Sequence, residues 1–444
     1  MRKDFPPLPP SLASLVRRVG EVAEAVGVQV YAVGGFVRDL CLGYPSTDLD
    51  LVVEGAGIAF ARHLAKALGA TCTVHARFRT ATLAPGPRAP GRLDVATARR
   101  EWYPSPAALP RVEPGTLVED LFRRDFTVNA MAIAVGREGL GALEDPYGGL
   151  SDLKAGLLRV LHPRSYCDDP TRILRGARFA SRFRFRLSRT DRRLIRAAVA
   201  AGALDALSPD RLRGEMFRLL SEPRAGVALR LLQDLGCLEA LVHGWELPPG
   251  LFRTFRSLQA AIARYRGYRG DETINGDRLH LMLLLEGQRS EIKRAILGRL
   301  GIPAGIQERL ARDEQGAAGV GRALAKGKVR QSRVRDLLDR ISPEARIWLW
   351  ARGKGRISRL VCAYVRSLSQ IEPVVSARDL MGLGVPAGPA IGRLLGELKR
   401  AKVDGRLRSQ ADEWTWVRER LRRHPLTTGD PSGRVPKRRK KRGT

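Results

Sequence analysis

The sequence predicts a small α/β domain with a mixed sheet, followed by an all-helical remainder. Three observations carry that expectation. Residues 28–53 run from an apolar stretch through Gly34-Gly35 and a short helical segment into a second β-branched run, the pattern of strand, turn, helix and strand. Short β-rich segments recur as far as Thr97 with helical spacing between them, which suits a mixed sheet of non-adjacent strands. Beyond Leu157 the strand signals fade and apolar residues recur at helical intervals.

Taken in order, Ser11–Val26 places Leu12, Leu15, Val16, Val19, Val22, Ala23 and Val26 at helical spacing and predicts a lead-in helix. Val28–Val33 reads as a strand and Phe36–Leu42 as a short helix. Asp48 and Asp50 lead the next strand, which ends at Val53. Ile58–Leu68 is a helix closed by Gly69. Thr71–Val74, Thr80–Leu83 and Arg92–Thr97 read as strands, with a turn at Pro85–Gly91. Arg99–Thr116 holds four prolines and two aromatics and reads as a long mobile loop. Arg172–Phe183, Arg189–Ala201, Asp210–Leu220, Arg224–Leu235 and Glu291–Leu300 read as helices. So does Ala390–Lys402, after a Gly/Pro-rich hinge at Gly382–Pro389. From Pro425 the chain is polar and basic, a composition that predicts disorder.

A chain of 444 residues is too long for one ordinary domain. Its 78 Lys and Arg against 46 acids leave a net charge of +32. Seven basic residues lie between Arg434 and Thr444, so most of the surplus is spread through the rest. A dispersed surplus of that size favours a polyanionic partner, nucleic acid first. The five cysteines show no paired spacing, which argues against a structural zinc or a disulfide framework and fits a reducing cytosol. No apolar run reaches membrane-spanning length and the N-terminus is no secretory signal, so the expected location is cytoplasmic, with no membrane contact and no protein partner evident.

The chemistry concentrates in residues 33–53. In a strand, alternate side chains share a face, so Asp48 and Asp50 would stand side by side. Two carboxylates this close repel each other unless a cation sits between them, and hard oxygen ligands suit Mg²⁺. Gly34 and Gly35 let backbone N–H groups approach an anion, and Arg38 adds a fork of donors one turn on. A phosphate cradle beside a two-carboxylate metal site is the minimum equipment for phosphoryl or nucleotidyl transfer. Asp94, in the strand Arg92–Thr97, is open to two readings, a third metal carboxylate or a strand-end cap.

Further on, Arg123-Arg124-Asp125-Phe126-Thr127-Val128-Asn129-Ala130 would make a poor core strand, and by itself reads as a charged turn. Asp145-Pro146-Tyr147-Gly148-Gly149 reads as a loop in which Asp145 caps a turn. Asp168-Asp169-Pro170-Thr171-Arg172 opens a helix on which Arg172, Arg175 and Arg178 line one face. Ser208-Pro209-Asp210-Arg211 opens another, with Arg211 and Glu215 at i,i+4.

Together these segments, in this order through Tyr31–Leu220, resemble motifs A to E of the class II tRNA nucleotidyltransferases (CCA-adding enzymes) and the related bacterial poly(A) polymerases. A weaker match follows at Asp379–Gly405. The resemblance implies a polymerase-β-like head and helical neck, body and tail domains, divided here as an N-terminal helix 1–26, head 27–156, neck 157–222, body 223–372, tail 373–424 and basic terminus 425–444. It implies template-independent addition of the 3′-terminal CCA to the tRNA acceptor arm from CTP and ATP, with release of pyrophosphate. Asp48 and Asp50 would be the catalytic metal ligands. Gly34, Gly35, Arg38 and Arg124 would serve the triphosphate, and Asp125 and Asn129 the ribose. Asp169 and Arg172 would read the Watson–Crick edge of the base, with Arg175 and Arg178 on the same nucleotide-facing helix. Asp168 stands where the family usually has Glu. Addition of only CC or only A, or poly(A) synthesis, are the alternatives. The resemblance further implies that CC-only relatives lack a long segment such as Arg99–Thr116.

Overall fold

The computed structural model describes residues 5–44, 48–84, 91–105, 107–108, 110–270 and 272–423. The chain divides into two compact units, one of residues 1–252 with 283–303 and one of residues 253–282 with 304–444. Residues 85–90 of the expected turn, and the basic terminus from Pro425, lie outside the described residues.

The first unit opens with α1 (Pro10–Val26), whose buried stripe of Leu12, Leu15, Val16, Val19 and Ala23 follows the expected helical spacing. Gly20 lets this helix close on the sheet, because a Cβ there would lie 2.0 Å from the carbonyl oxygen of Gly136. Next come β1 (Val30–Val33), α2 (Gly35–Cys41), β2 (Asp50–Val53), α3 (Gly57–Leu68), β3 (Cys72–His75), β4 (Thr80–Leu83) and β5 (Leu93–Thr97). All of these were legible from periodicity and turn residues. After them follow β6 (Arg99–Trp102), β7 (Arg111–Pro114), α4 (Leu117–Phe122), β8 (Ala132–Gly136), β9 (Gly139–Glu144) and α5 (Gly149–Ala155).

Seven strands form one mixed sheet in the order β3-β4-β5-β2-β1-β8-β9. Its β2–β5 pair is parallel, and the neighbouring pairs are antiparallel. Val33, Val52, Ala98, Leu117, Leu121, Ala130 and Ala132 form one buried cluster that seats α4 against β1, β2 and β8.

The expectation of a structureless loop at Arg99–Thr116 is overturned. β6 and β7 pair as an antiparallel hairpin, from Arg99 opposite Pro114 to Trp102 opposite Arg111. Pro104 and Pro110 fall in its connection, and Pro114 ends a strand at a sheet edge, where a missing ladder donor is tolerated. Cross-strand pairs hold the ribbon: Arg100 meets Glu113 at 2.7 Å, and the Arg111 guanidinium lies 5.0 Å from the Trp102 ring centroid. Proline content alone misses such pairs because they are visible only in register.

The unit continues through β10 (Leu157–Leu158), α6 (Ser165–Asp168), α7 (Thr171–Phe183), β11 (Arg186–Leu187), α8 (Arg189–Ala200), α9 (Pro209–Leu220) and α10 (Ala225–Asp234). The central helix α7 packs on α9 and α10 and buries Ile173, Leu174, Ala177 and Ala180. The second unit is helical among its described residues. Its core includes Val375, Leu380, Leu394, Leu398 and Val417. Buried Glu413 accepts the backbone N–H groups of Val374 and Val375 and pairs with Lys402. The five cysteines are all free thiols, and no described helix is long and apolar enough to cross a membrane.

Candidate active site

Asp50 opens β2 on the face it shares with Val52, the face that α4 covers, and so stands at the open end of a packed layer. Across the parallel ladder Asp50 is directly opposite Asp94. A cavity of about 300 Å³ opens there, lined by both acids together with Arg92, Arg99, Arg123 and Arg124. Asp48 lies just before the strand rather than within it, and is exposed. The two acids therefore meet through a strand and its lead-in rather than through strand alternation alone. Burial in the cleft lifts the Asp50 carboxyl above its ordinary range, and Asp94 and Asp48 add to the effect while Arg124 and Arg92 oppose it.

Asp94 is partnered: Thr82 donates its hydroxyl at 2.7 Å and Arg92 its Nε at 3.3 Å. Asp48 and Asp50, by contrast, accept no hydrogen bond from the described residues. Among those residues no three acidic, histidine or cysteine side chains converge tightly enough to enclose a metal by themselves. The donor set still suits a hard divalent cation that keeps several waters and shares a triphosphate. It offers two carboxylates without a partner among the described residues, one of them raised by burial with like charges adding to the effect.

Gly34 sits at the turn between β1 and α2 with φ +70°, a conformation that other residues rarely adopt. A Cβ on it would lie 2.6 Å from Nη1 of Arg124, so the missing side chain is what lets that guanidinium cross the turn. Arg124 is held from behind by Asp120 at 3.0 Å, and its Nε is buried without a partner. Gly35 begins α2. Arg38 differs from the open fork expected of it. It is buried, lies 4.4 Å from the Phe183 ring centroid, and donates to Asp39 and, at 2.7 Å, to Oδ1 of Asn129.

Asn129 is therefore fixed in orientation. Its Nδ2 donates one proton to Asp125 Oδ1 at 2.8 Å, and its second amide proton has no protein partner among the described residues. Asp125 Oδ2 accepts from Nε and Nη2 of Arg175 at 2.9 and 2.6 Å. Burial pushes the Asp125 carboxyl up, but Arg175 and the Asn129 amide outweigh it and hold the group below its usual range. Arg175 and Arg178 continue the network to Glu215, and Arg178 reaches Glu222.

Asp169 and Arg172 lie at the start of α7. Asp169 uses Oδ1 for Thr171 and for Arg211 at 2.8 Å, and Oδ2 accepts nothing from the described residues. Arg172 is buried, donating to Ser165 and, at 2.7 Å, to the Arg123 carbonyl. The two are not paired with each other. Asp168 faces Arg164 at 3.5 Å and His162 at 3.9 Å. The i,i+4 pair expected between Arg211 and Glu215 does not form, because Arg211 reaches out of its helix to Asp169 and the Ala107 carbonyl. Glu215 instead binds Arg218 and the α7 arginines.

Three side chains in this region make contacts that the sequence reading did not assign. Arg123 ties Asp120 to Glu101 of the hairpin. Tyr103, just past β6, lies among Arg172, Asp169 and Arg211; burial raises its phenol above the ordinary value, and Arg172 opposes the shift. Arg211 links the hairpin connection to Asp169. Their one available signal was position: Arg123 and Arg211 lie within the charged segments that begin at Arg123 and Ser208, and Tyr103 within the proline-rich stretch Arg99–Thr116.

Residues 30–159 match the family described as the poly A polymerase head domain. Residues 185–247 match the probable RNA and SrmB-binding site of polymerase A. The A-adding tRNA nucleotidyltransferase of Geobacter sulfurreducens is 33% identical over 412 residues, covering 91% of this chain and 47% of the relative. The chain thus spans about half the length of that relative. An A-adding tRNA nucleotidyltransferase of Halalkalibacterium halodurans is 32% identical, over 91% of this chain and 92% of its own. A CC-adding enzyme of Deinococcus radiodurans is 33% identical, over 94% and 95%. Among solved structures, a CCA-adding enzyme in an apo form superposes with a TM-score of 0.77 at 33% identity, over 93% of this chain and 97% of that one. With the motifs placed as above and these similarities running nearly end to end, the chain belongs to the family of class II tRNA nucleotidyltransferases and bacterial poly(A) polymerases.

Proposed function

We propose that the protein extends the 3′ end of tRNA without a template, adding the terminal CCA from CTP and ATP and releasing pyrophosphate. The observation that carries this reading is Asp50, which accepts no hydrogen bond from the described residues, lining one cleft with Asp94 and Arg124, with the Asp48 charge close by and a prearranged polar network beside it. Asp48 and Asp50 would hold Mg²⁺, with Asp94 behind them on the neighbouring strand. Bound there, the metal would ease ionisation of the primer 3′-hydroxyl and neutralise the triphosphate.

The chain's own residues supply the rest. Arg124, braced by Asp120 and with Nε unpaired, directs charge at a phosphate oxygen. Asn129, locked by Arg38 and Asp125, keeps one amide proton for a ribose hydroxyl. Asp169 keeps Oδ2 for the exocyclic amine that cytosine and adenine both carry, and Arg172 donates to cytosine O2 and N3 or to adenine N1. Neither group matches the edge of UTP or GTP.

Addition of A alone is the second reading, favoured by the activity named for the Geobacter and Halalkalibacterium relatives. The folded hairpin at Arg99–Pro114 argues against CC-only addition, because the resemblance implies that CC-only relatives lack this segment. One experiment separates all three: purified protein with tRNAs ending before CCA, after C and after CC, each offered CTP or ATP. Extension of all three substrates supports CCA addition. Extension of the CC-ended tRNA alone, with ATP, replaces it by A addition.

A further inference from the structure

Between β3 and β4 the chain makes a single 3₁₀ turn, Ala76–Phe78, none of whose residues is buried. Phe78 is 41% exposed. One exposed Phe is ordinary on a protein surface. Three observations set this one apart. Arg77 and Arg79 flank it, both exposed, and neither guanidinium makes an ion pair or hydrogen bond with a described residue. Arg79 holds φ +52°, a left-handed conformation that glycine takes freely and a long side chain adopts only at a cost. The backbone is clamped in that shape, with Thr97 N–H donating to the Arg79 carbonyl at 3.0 Å and Arg99 Nη1 to the Phe78 carbonyl. A fixed backbone thus presents an aromatic ring between two unclaimed cations.

The turn also lies at one end of the catalytic cleft. Asp50, Asp94 and Arg124 line the cleft at its other end, and His75, Thr80 and Arg99 line it here, on either side of the turn. Thr82 stands opposite Asp94 in the ladder, and Thr80 is two residues, or about 7 Å, further along β4 toward Phe78. Arg124, assigned above to the triphosphate, crosses the Gly34 turn at the acidic end. Attacking and leaving oxygens stand in line on opposite sides of the transferred phosphorus, so the primer cannot share the triphosphate's end. The length of cleft that runs to Phe78 is what remains for it.

We propose that Phe78 is a positioning residue for the RNA primer: its ring stacks on the last unpaired base of the 3′ end, and Arg77 and Arg79 meet the adjoining phosphates. The inference rests on the tRNA reading above and deepens it by assigning the contact that seats the attacking nucleotide. Stacking accepts any base, which suits an end whose last nucleotide changes with each addition, and it leaves the Watson–Crick edge unread.

The test uses the full chain and two forms of the tRNA that it extends best, one intact and one whose 3′-terminal nucleotide lacks only its base. Initial rates across RNA and nucleotide concentrations give kcat/KM for RNA and KM for the nucleotide. Phe78→Ala is expected to lower kcat/KM for the intact tRNA about tenfold and to leave the nucleotide KM within about twofold. Removing the terminal base should cost the wild type about tenfold but Phe78→Ala less than about twofold, because the stacking partner is already gone. Phe78→Tyr should behave as the wild type, whereas Phe78→Leu, apolar but without a π face, should behave as Phe78→Ala. Arg77→Gln with Arg79→Gln should lower kcat/KM for both tRNAs alike, by a factor that shrinks as salt is added. The side chains are exposed, so every variant should melt with the wild type. Wild-type protein indifferent to loss of the terminal base overturns the inference without recourse to any variant. Equal losses in wild type and Phe78→Ala overturn it too, since ring and base would then act independently, and so does full activity in Phe78→Leu. Wild-type protein that extends no tRNA ends both readings.

Discussion

The head cleft and the start of α7 hold charged groups in opposite ways. At the cleft, Asp48 and Asp50 accept no hydrogen bond from the described residues, and Asp50 is raised by burial and by its acidic neighbours. Around α7, Asp125, Asn129, Arg38 and Arg175 spend part of their capacity on one another, and Asp169 on Thr171 and Arg211, leaving an Asn129 amide proton and Asp169 Oδ2 without a partner among the described residues. On the function proposed above, charge is left unbalanced where a charged ligand would arrive, and is balanced tightly, with isolated donors and acceptors to spare, where a neutral base or sugar would be recognised.

Breaking the unbalanced side should give the largest effect on chemistry and almost none on folding. Asp50→Ala and Asp48→Ala are expected to lower single-turnover nucleotide addition by about a thousandfold or more, with tRNA affinity nearly unchanged. In metal-free buffer Asp50→Asn should melt at or above the wild-type temperature, since it removes a carboxylate the fold disfavours. Rapid-quench kinetics and calorimetry read the two halves. A loss below tenfold would remove the metal assignment.

The balanced side should respond the other way. Asp125→Asn or Arg175→Ala strips a buried partner and is expected to cost about 2–4 kcal/mol in denaturant unfolding. The sign with pH follows from the depressed Asp125 carboxyl. Its stabilisation is complete above the unfolded value, near pH 4, and is lost as pH falls through the lower folded value. The gap between wild type and Asp125→Asn should therefore hold from pH 7 to about 5 and narrow below about 4.

A third pair of substitutions sharpens the contrast at the start of α7. Asp169→Ala and Arg172→Ala are expected to admit UTP or GTP, losing about ten- to a hundredfold in discrimination, from roughly 1–3 kcal/mol per unpaired group. Comparing kcat/KM for all four nucleotides decides it, and equal slowing with selectivity intact would place base reading elsewhere. The smallest effect belongs to the exposed Arg100–Glu113 pair of the hairpin, where Arg100→Ala should leave the thermal melt within error.

How far the sequence could be read follows the same division. Local signals were enough for β1 to β5, α1 and α3, because alternation, helical spacing and a C-cap glycine at Gly69 act over a few residues. Asp48, Asp50 and Arg124 could be picked out by residue type and motif. What could not be read was pairing across distance: Arg38 with Asn129, Arg211 with Asp169, and the register that turns a proline-rich stretch into a hairpin. No window of sequence contains both members of such pairs. For the same reason Arg38 read as an open donor when it is a buried strut.

The parallel pairing of β2 with β5 carries a consequence for the newly made chain. Antiparallel neighbours such as β3 and β4 can zip together as soon as both have been synthesised, but a parallel pair must wait for its crossover to close. Asp50 and Asp94 are separated in the chain by α3, β3 and β4. A nascent polypeptide that ends before Leu93 already carries Asp48, Asp50 and the Gly34 turn, yet has no cleft. The acidic pocket therefore takes shape only when the fifth strand docks beside β2.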